Sequence, residues 1–143
     1  MKLTVAWIGK TKEPAIQALT DEYLKRLVRY ADVESLALKD ESALMQLQRR
    51  ARATLVLLDG SGKQLSSEEL AKFLGEHQVR NPLPLLFAVG PADGFSDETR
   101  KAASRLLSLG KMTLAHELAR VVLLEQLYRA FTILKGHPYH LGH

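Results

Sequence analysis

Five short apolar runs with the character of β-strands alternate with five helical segments along the 143-residue chain. The apolar runs are 3–8, 33–38, 54–58, 83–89 and 107–109, and the helical segments begin at Pro14, Glu41, Ser66, Ser96 and just after Ala115. Such alternation, without a linker or an internal repeat, is typical of a mainly parallel sheet covered by helices on both faces. Because a chain of this length suits a single core, the sequence predicts one α/β domain spanning 1–143.

Glycine-rich loops follow four of the five predicted strands. They comprise 9–10, 59–63, 90–94 and 110–113. In open parallel sheets ligands bind beyond the carboxyl ends of the strands. We therefore expect these loops to meet at one edge of the sheet and to form a ligand site there.

The stretch 109–140 begins with a bend and continues as a helix of about twenty residues that is apolar on all sides. A helix of this kind is buried on more than one side, and in a short chain we expect the second covering surface to be another copy of the protein. Polar side chains inside such a helix need partners or a function. They are His116, Glu117, Arg120, Glu125 and Arg129.

The composition excludes several classes of site. The chain has no cysteine, and therefore no disulfide framework, no thiolate zinc site and no cysteine nucleophile. A net charge of +4 and a sequence pI near 9.4 favour a polyanionic partner such as RNA. The amino terminus does not resemble a signal peptide, and no run of about eighteen apolar residues is free of charge. We expect a cytoplasmic protein with no membrane partner.

Motifs for other chemistries are incomplete. Gly9-Lys10-Thr11 and the segment 60–63 imitate a phosphate-binding loop, but both lack the first glycine of a Walker A motif. No G-x-G-x-x-G sequence follows a predicted strand, which argues against a dinucleotide site. The spacing of His137, His140 and His143 suggests a metal site, yet no carboxylate or thiolate accompanies them. The sequence therefore predicts no metal.

Four blocks at consistent spacing occupy the second half of the chain: VGPADG at 89–94, LSLGKMT at 107–113, His116 with RVVLLEQLYRAF at 120–131, and HPYH at 137–140. These blocks resemble the ribosomal RNA large subunit methyltransferase H family, whose members are small enzymes of the SPOUT superfamily. The resemblance implies a trefoil-knotted region of about 85–143 and a homodimer whose site is completed across the interface. It also implies methyl transfer from S-adenosyl-L-methionine to N3 of a pseudouridine in the intersubunit-bridge hairpin of 23S rRNA, in assembled ribosomes.

Carried over residue by residue, the resemblance implies a cofactor site at the strand ends that the glycine loops already indicate. Its residues are Leu58, Gly90, Leu109, Gly110, Lys111, Met112, Thr113 and Leu114. The backbone of such loops can contact an adenine edge, and the leucine and methionine side chains can form apolar walls. His140 is the candidate that accepts or relays the proton of the target imide, because histidine titrates near neutrality.

The candidate RNA contacts are Arg120, Arg129, His137, Tyr139 and His140. A simpler interpretation of Arg129 is an ion pair on the helix surface with Glu125, four residues earlier. Three features depart from the family pattern: Pro91 replaces a glycine and removes an N–H donor, Ala115 replaces a proline before the histidine, and Leu141 replaces a basic residue after the final Tyr-His. A non-catalytic ribosome- or RNA-binding dimer of this fold, and a SPOUT methyltransferase acting on tRNA, are the alternatives.

Overall fold

The computed structural model describes residues 1–91 and 93–141, in which five strands alternate with five helices. The elements are β1 Lys2–Ile8, α1 Pro14–Leu27, β2 Asp32–Leu38, α2 Glu41–Ala51, β3 Thr54–Gln64, α3 Ser67–Arg80, β4 Leu85–Val89, α4 Asp97–Ala102, β5 Arg105–Ser108 and α5 His116–Leu134. The predicted alternation is confirmed.

All neighbouring strands of the sheet are parallel, in the order β2-β1-β4-β3-β5. The central strand β4 is buried along its whole length, as its continuous apolar sequence predicts for a strand covered on both faces. Because every strand points the same way, the loops after β1, β3, β4 and β5 leave the sheet at one edge. The predicted parallel α/β architecture is confirmed.

Successive side chains of the strands face two separate cores. Val5 and Phe87 contribute to the larger core, which contains side chains of α1, α3 and α5. Their chain neighbours Ala6 and Ala88 face the smaller core, which contains Leu44 of α2. Helices therefore cover both faces of the sheet, as predicted.

The helix α3 begins with a capping box, which explains the helix start that the sequence predicts at Ser66. The Ser66 hydroxyl accepts from the backbone N–H of Glu69 at 3.0 Å, and the Glu69 carboxylate accepts from the backbone N–H of Ser66 at 2.8 Å. The helix α1, by contrast, has no side-chain cap from its own N-terminal residues. Glu117 of α5 instead anchors the loop before α1, because its Oε1 accepts from the backbone N–H of Lys12 at 2.9 Å and from that of Glu13 at 3.4 Å.

The strand β3 is longer than the sequence predicts. The sequence predicts a strand at 54–58 followed by a loop at 59–63, but the strand continues to Gln64. Leu58 and Lys63 both align with Leu107 of β5, so the intervening residues form an irregularity in the ladder. Gly62 crosses so close to β5 that an added Cβ would lie 2.5 Å from the carbonyl carbon of Leu106. This irregularity places the end of β3 beside the loop that follows β5.

Candidate functional site

A cavity of about 270 Å³ opens at the carboxyl ends of β3, β4 and β5. Its wall comprises 58–60, 89–91, Gly94, 107–114, His116 and Ala119. Three of the four glycine-rich loops therefore meet as the sequence predicts, whereas Gly9 and Lys10 do not contribute to the wall. The volume is close to the lower end of the range for small-molecule sites, which is about 300 Å³.

The cavity wall includes all eight residues predicted for cofactor binding: Leu58, Gly90, Leu109, Gly110, Lys111, Met112, Thr113 and Leu114. The geometry favours glycine at two of these positions. Gly110 has a φ of +144°, a conformation that other residues rarely adopt. An added Cβ at Gly90 would lie 2.8 Å from the Phe95 ring, so glycine lets this ring pack beneath the loop.

Asp59 supplies the cavity's one carboxylate among the described residues. Its Oδ1 accepts from the Ser61 backbone N–H at 2.9 Å and from the Ser61 hydroxyl at 2.6 Å, and its Oδ2 lies 3.2 Å from Nε of Arg100. Burial opposes ionisation of this carboxyl, but Ser61 and Arg100 together hold its pKa below the usual value. The sequence places Asp59 in the glycine-rich loop 59–63 but does not single out its carboxylate, although an acidic residue directly after a continuous apolar run is a usable signal.

The carboxy-terminal tail folds back onto α5 through a polar network. The Tyr139 hydroxyl donates to Oε2 of Glu125 at 2.7 Å, and Nη2 of Arg129 donates to the same oxygen at 2.7 Å. The Tyr139 ring meets Tyr128 edge-on, with 4.8 Å between ring centroids. Burial and the hydrogen bond to Glu125 raise the pKa of Tyr139, so its hydroxyl stays protonated and remains a donor at neutral pH.

His140 is the last member of this network. Its Nδ1 lies 3.1 Å from Nη1 of Arg129, which can only donate, so Nδ1 is the acceptor. The neutral ring therefore carries its proton on Nε2, which lies 3.6 Å from Oε2 of Glu68. To accept a proton at Nδ1, His140 has to give up its contact with Arg129.

Within a single chain the carboxy-terminal tail does not reach the cavity, since no residue of the tail belongs to the cavity wall. Arg129, which contacts His140, lies ten residues after Ala119, the last cavity residue on α5. At 1.5 Å per residue this is roughly 15 Å along the helix. Nδ1 of His137 accepts from the backbone N–H of Tyr139 at 3.2 Å within the tail, while His143 lies outside the described residues.

A family model described as predicted SPOUT methyltransferase matches residues 1–140. A ribosomal RNA large subunit methyltransferase H from Koribacter versatilis is 62% identical and covers 100% of both chains. The protein of the same name from Geobacter sulfurreducens is 42% identical over 98% of this chain and 99% of the relative. The chain belongs to this SPOUT methyltransferase family. It is therefore a methyltransferase, as the sequence predicts.

Two solved structures have the same fold as this SPOUT methyltransferase. The A. aeolicus TrmH/SpoU tRNA modifying enzyme aligns with a TM-score of 0.55 and 12% identity, over 95% of this chain and 78% of that one. The SpoU methyltransferase AviRb from Streptomyces viridochromogenes, in complex with the cofactor AdoMet, aligns with a TM-score of 0.51 and 14% identity. That alignment covers 90% of this chain and 57% of AviRb.

Arg120 of this SPOUT methyltransferase is a core residue, which corrects the prediction that it contacts RNA. Its side chain is only 1% exposed. Nη1 donates to the Thr11 hydroxyl at 2.6 Å, and the guanidinium carbon lies 3.9 Å from the centre of the Trp7 ring. This burial lowers the pKa of Arg120 and leaves no surface for a phosphate. No local sequence pattern indicates this contact, because Thr11 lies 109 residues away.

One side of α5 and the bend before it remain apolar and exposed in the methyltransferase chain. We call this surface the apolar patch; its residues are Met112, Leu114, Leu118 and Val122, which are 86%, 39%, 51% and 36% exposed. The helix is thus buried on one side only within the single chain. In the described residues no helix is long and apolar enough to cross a membrane. No group of three or more candidate metal ligands occurs in the described part of the chain.

Proposed function

We propose that this SPOUT methyltransferase transfers a methyl group from S-adenosyl-L-methionine to N3 of a pseudouridine in the intersubunit-bridge hairpin of 23S rRNA. Its proposed substrate is the assembled ribosome, in the cytoplasm. The observation that carries the proposal is the cavity, whose wall contains all eight of the predicted cofactor residues. The name of the 62% identical relative, a ribosomal RNA large subunit methyltransferase, supports RNA as the substrate.

The backbone groups and apolar side chains of the cavity wall suit the proposed cofactor. Backbone amides and carbonyls of 109–114 can contact the adenine edge, and Leu58 and Leu109 form apolar walls beside it. Gly90 keeps the β4 loop free of a side chain, so the main chain can approach the ligand closely. Pro91 also belongs to the wall but has no N–H to donate, so amide contacts must come from its neighbours.

S-adenosyl-L-methionine supplies an already activated methyl group when it is bound. The residues of the chain therefore have to place the target nitrogen in line with that group and to exclude water. The pseudouridine imide must also lose its N3 proton. We assign this step to His140, which accepts the proton at Nδ1 once Arg129 turns from the histidine to the RNA. Arg129, His137 and Tyr139 are the remaining proposed RNA contacts.

We infer a homodimer in which the tail of one copy reaches the cavity of the other. Two observations support it: the tail lies roughly 15 Å along α5 from its own cavity, and the apolar patch borders that cavity. A second copy seated on the patch would bury these side chains and close the outer wall beside Met112. From the resemblance to the family, we also propose that 1–143 form a single domain and that about 85–143 form its knotted region.

The proposed reaction is tested in two steps. Calorimetry with S-adenosyl-L-methionine is expected to show binding, and an absence of binding at millimolar cofactor would favour a non-catalytic RNA-binding dimer. Purified ribosomes from a strain lacking the enzyme are then incubated with isotopically labelled cofactor, and the RNA is mapped by mass spectrometry. We expect label on one pseudouridine of 23S rRNA. Label on tRNA, or strong activity on free 23S rRNA extracted from that strain, would contradict the proposed substrate.

Replacing Leu118 with glutamate is expected to separate the proposed dimer. The change places a charge in the centre of the apolar patch, where burial against a second copy would be unfavourable. Light scattering after gel filtration should give the mass of two chains for the wild type and of one chain for the variant. Val79→Glu is the matched control, since Val79 is 86% exposed on α3 outside the patch. A wild-type protein with the mass of one chain would contradict the dimer.

Glu125→Gln is expected to loosen the tail and to lower ribosome methylation by about tenfold, with cofactor affinity unchanged. The change removes the charge from an ion pair whose side chains are 20% and 14% exposed, and weakens the acceptor of the Tyr139 hydroxyl; a hydrogen bond to a charged group contributes about 1.5–3 kcal/mol. Glu22→Gln is the control, because the Glu22–Arg26 pair has the same spacing but is exposed. Equal methylation rates for the two variants would show that the network does not position the tail.

A further inference from the structure

Asp59 occupies a distinct place in the cavity wall. The other described wall residues are apolar side chains, backbone, Ser108 and Thr113, with Lys111 and His116 as the basic groups. Asp59 follows Leu58 at the start of the irregular part of β3, and both residues belong to the cavity wall. A ligand that fills this part of the cavity therefore meets Asp59 as well as Leu58.

This carboxylate is fixed before any ligand arrives. Ser61 holds Oδ1 with two hydrogen bonds, and Nε of Arg100 lies 3.2 Å from Oδ2. Arg100 is itself held by the Ser61 hydroxyl at 3.3 Å and by Asp97 at 3.2 Å. The side chain of Asp59 is only 12% exposed, so ligand binding orders little that is not already ordered.

An ionised carboxylate accepts hydrogen bonds and donates none. Each of its oxygens has about two acceptor sites, so the contacts with Ser61 and Arg100 leave capacity for a ligand. The ligand group must then be a hydroxyl, an N–H or a cation. Because the Arg100 guanidinium already compensates the charge of Asp59, the remaining capacity suits neutral hydroxyl donors better than a second cation.

The sulfonium of the cofactor is also a poor partner for Asp59, because such a contact would slow methyl transfer. Its positive charge disappears as the methyl group leaves, so an anion beside it would stabilise the ground state more than the transition state. The ribose hydroxyls carry no such penalty. In other sheet-edge nucleotide sites an acidic residue after a strand accepts from ribose hydroxyls for the same geometric reason.

We propose that Asp59 accepts, at the site left on Oδ2, a hydrogen bond from a ribose hydroxyl of the cofactor, and that Arg100 is the residue that positions it. This inference rests on the proposed function, since it takes the cavity as the S-adenosyl-L-methionine site. Arg100 touches no ligand in this arrangement and acts only through Asp59 and Ser61.

The test compares two ligands in calorimetry: S-adenosylhomocysteine and its 2′,3′-dideoxy analogue. The wild type is expected to bind the analogue about tenfold more weakly, which corresponds to about 1.4 kcal/mol. In Asp59→Asn this difference should fall below about threefold. Asp97→Asn is the matched control, because Asp97 is the other carboxylate paired with Arg100 and its side chain is 87% exposed. This variant should keep the tenfold difference between the two ligands.

Each remaining outcome has a defined meaning. A wild type that does not distinguish the two ligands overturns the inference even if Asp59→Asn fails to fold. An undiminished difference in a folded Asp59→Asn variant overturns it as well. If Asp59→Asn weakens S-adenosyl-L-methionine much more than S-adenosylhomocysteine, the carboxylate faces the sulfonium instead. A wild type that binds neither S-adenosyl-L-methionine nor S-adenosylhomocysteine contradicts the proposed function itself.

Discussion

Replacing His140 with alanine is expected to lower the rate of ribosome methylation by about 10²- to 10⁴-fold, the usual contribution of a general base. Cofactor affinity should not change, because the predicted cofactor contacts all come from the cavity wall, and His140 is not among the wall residues. Single-turnover methylation of ribosomes measures the chemical step, and calorimetry measures cofactor binding. Full methylation by the variant would exclude His140 as the proton acceptor.

His140→Asn separates proton transfer from positioning. The asparagine carbonyl can still accept from Nη1 of Arg129, as Nδ1 of His140 does, but the side chain cannot take up a proton. If His140 accepts the imide proton, the asparagine variant should be as slow as the alanine variant. Recovery of most of the wild-type rate with asparagine would mean that His140 only holds Arg129 in place.

The second large effect is expected from Gly62→Ala, which should lower the free energy of unfolding by about 3 kcal/mol, at the upper end for overpacking. The new Cβ would lie 2.5 Å from the carbonyl carbon and 2.7 Å from the carbonyl oxygen of Leu106, and backbone cannot move aside as a flexible side chain can. Relief requires β3 and β5 to separate, which displaces the loop carrying Leu109 to Leu114. Urea unfolding measures the stability loss.

Gly60→Ala is the matched control for this substitution. Gly60 lies two residues earlier in the same irregular part of β3, and an added Cβ there would meet nothing within 4 Å. We expect its free energy of unfolding to stay within about 0.5 kcal/mol of the wild type. Similar losses in both variants would show that glycine is needed for backbone freedom in this segment rather than for the close approach to Leu106.

The order of elements was predictable because local signals agree with the fold. Capping residues such as Ser66 and Ser96 mark helix starts, and the continuous apolar run of β4 marks a strand buried on both faces. The extension of β3 was not predictable. Its Gly-Ser-Gly sequence has the composition of a turn, and only pairing with β5 makes it a strand.

The cavity was predictable in outline, since strand ends in a parallel sheet meet at one edge whatever their order. The ion pair in its wall was not predictable. Arg100 lies 41 positions after Asp59 in the sequence, and nothing local indicates that pairing. The same holds for the burial of Arg120 against Trp7 and Thr11, which depends on α5 packing near the end of β1.

The contact between Glu117 and Lys12 joins the segment before the first helix to the last helix. Lys12 precedes Glu117 by 105 residues, so this segment lacks its anchor until the last helix has been synthesised. A nascent chain without α5 also leaves the apolar side chains of α1 and α3 uncovered, which favours aggregation. The larger core can therefore be completed only when synthesis is nearly finished.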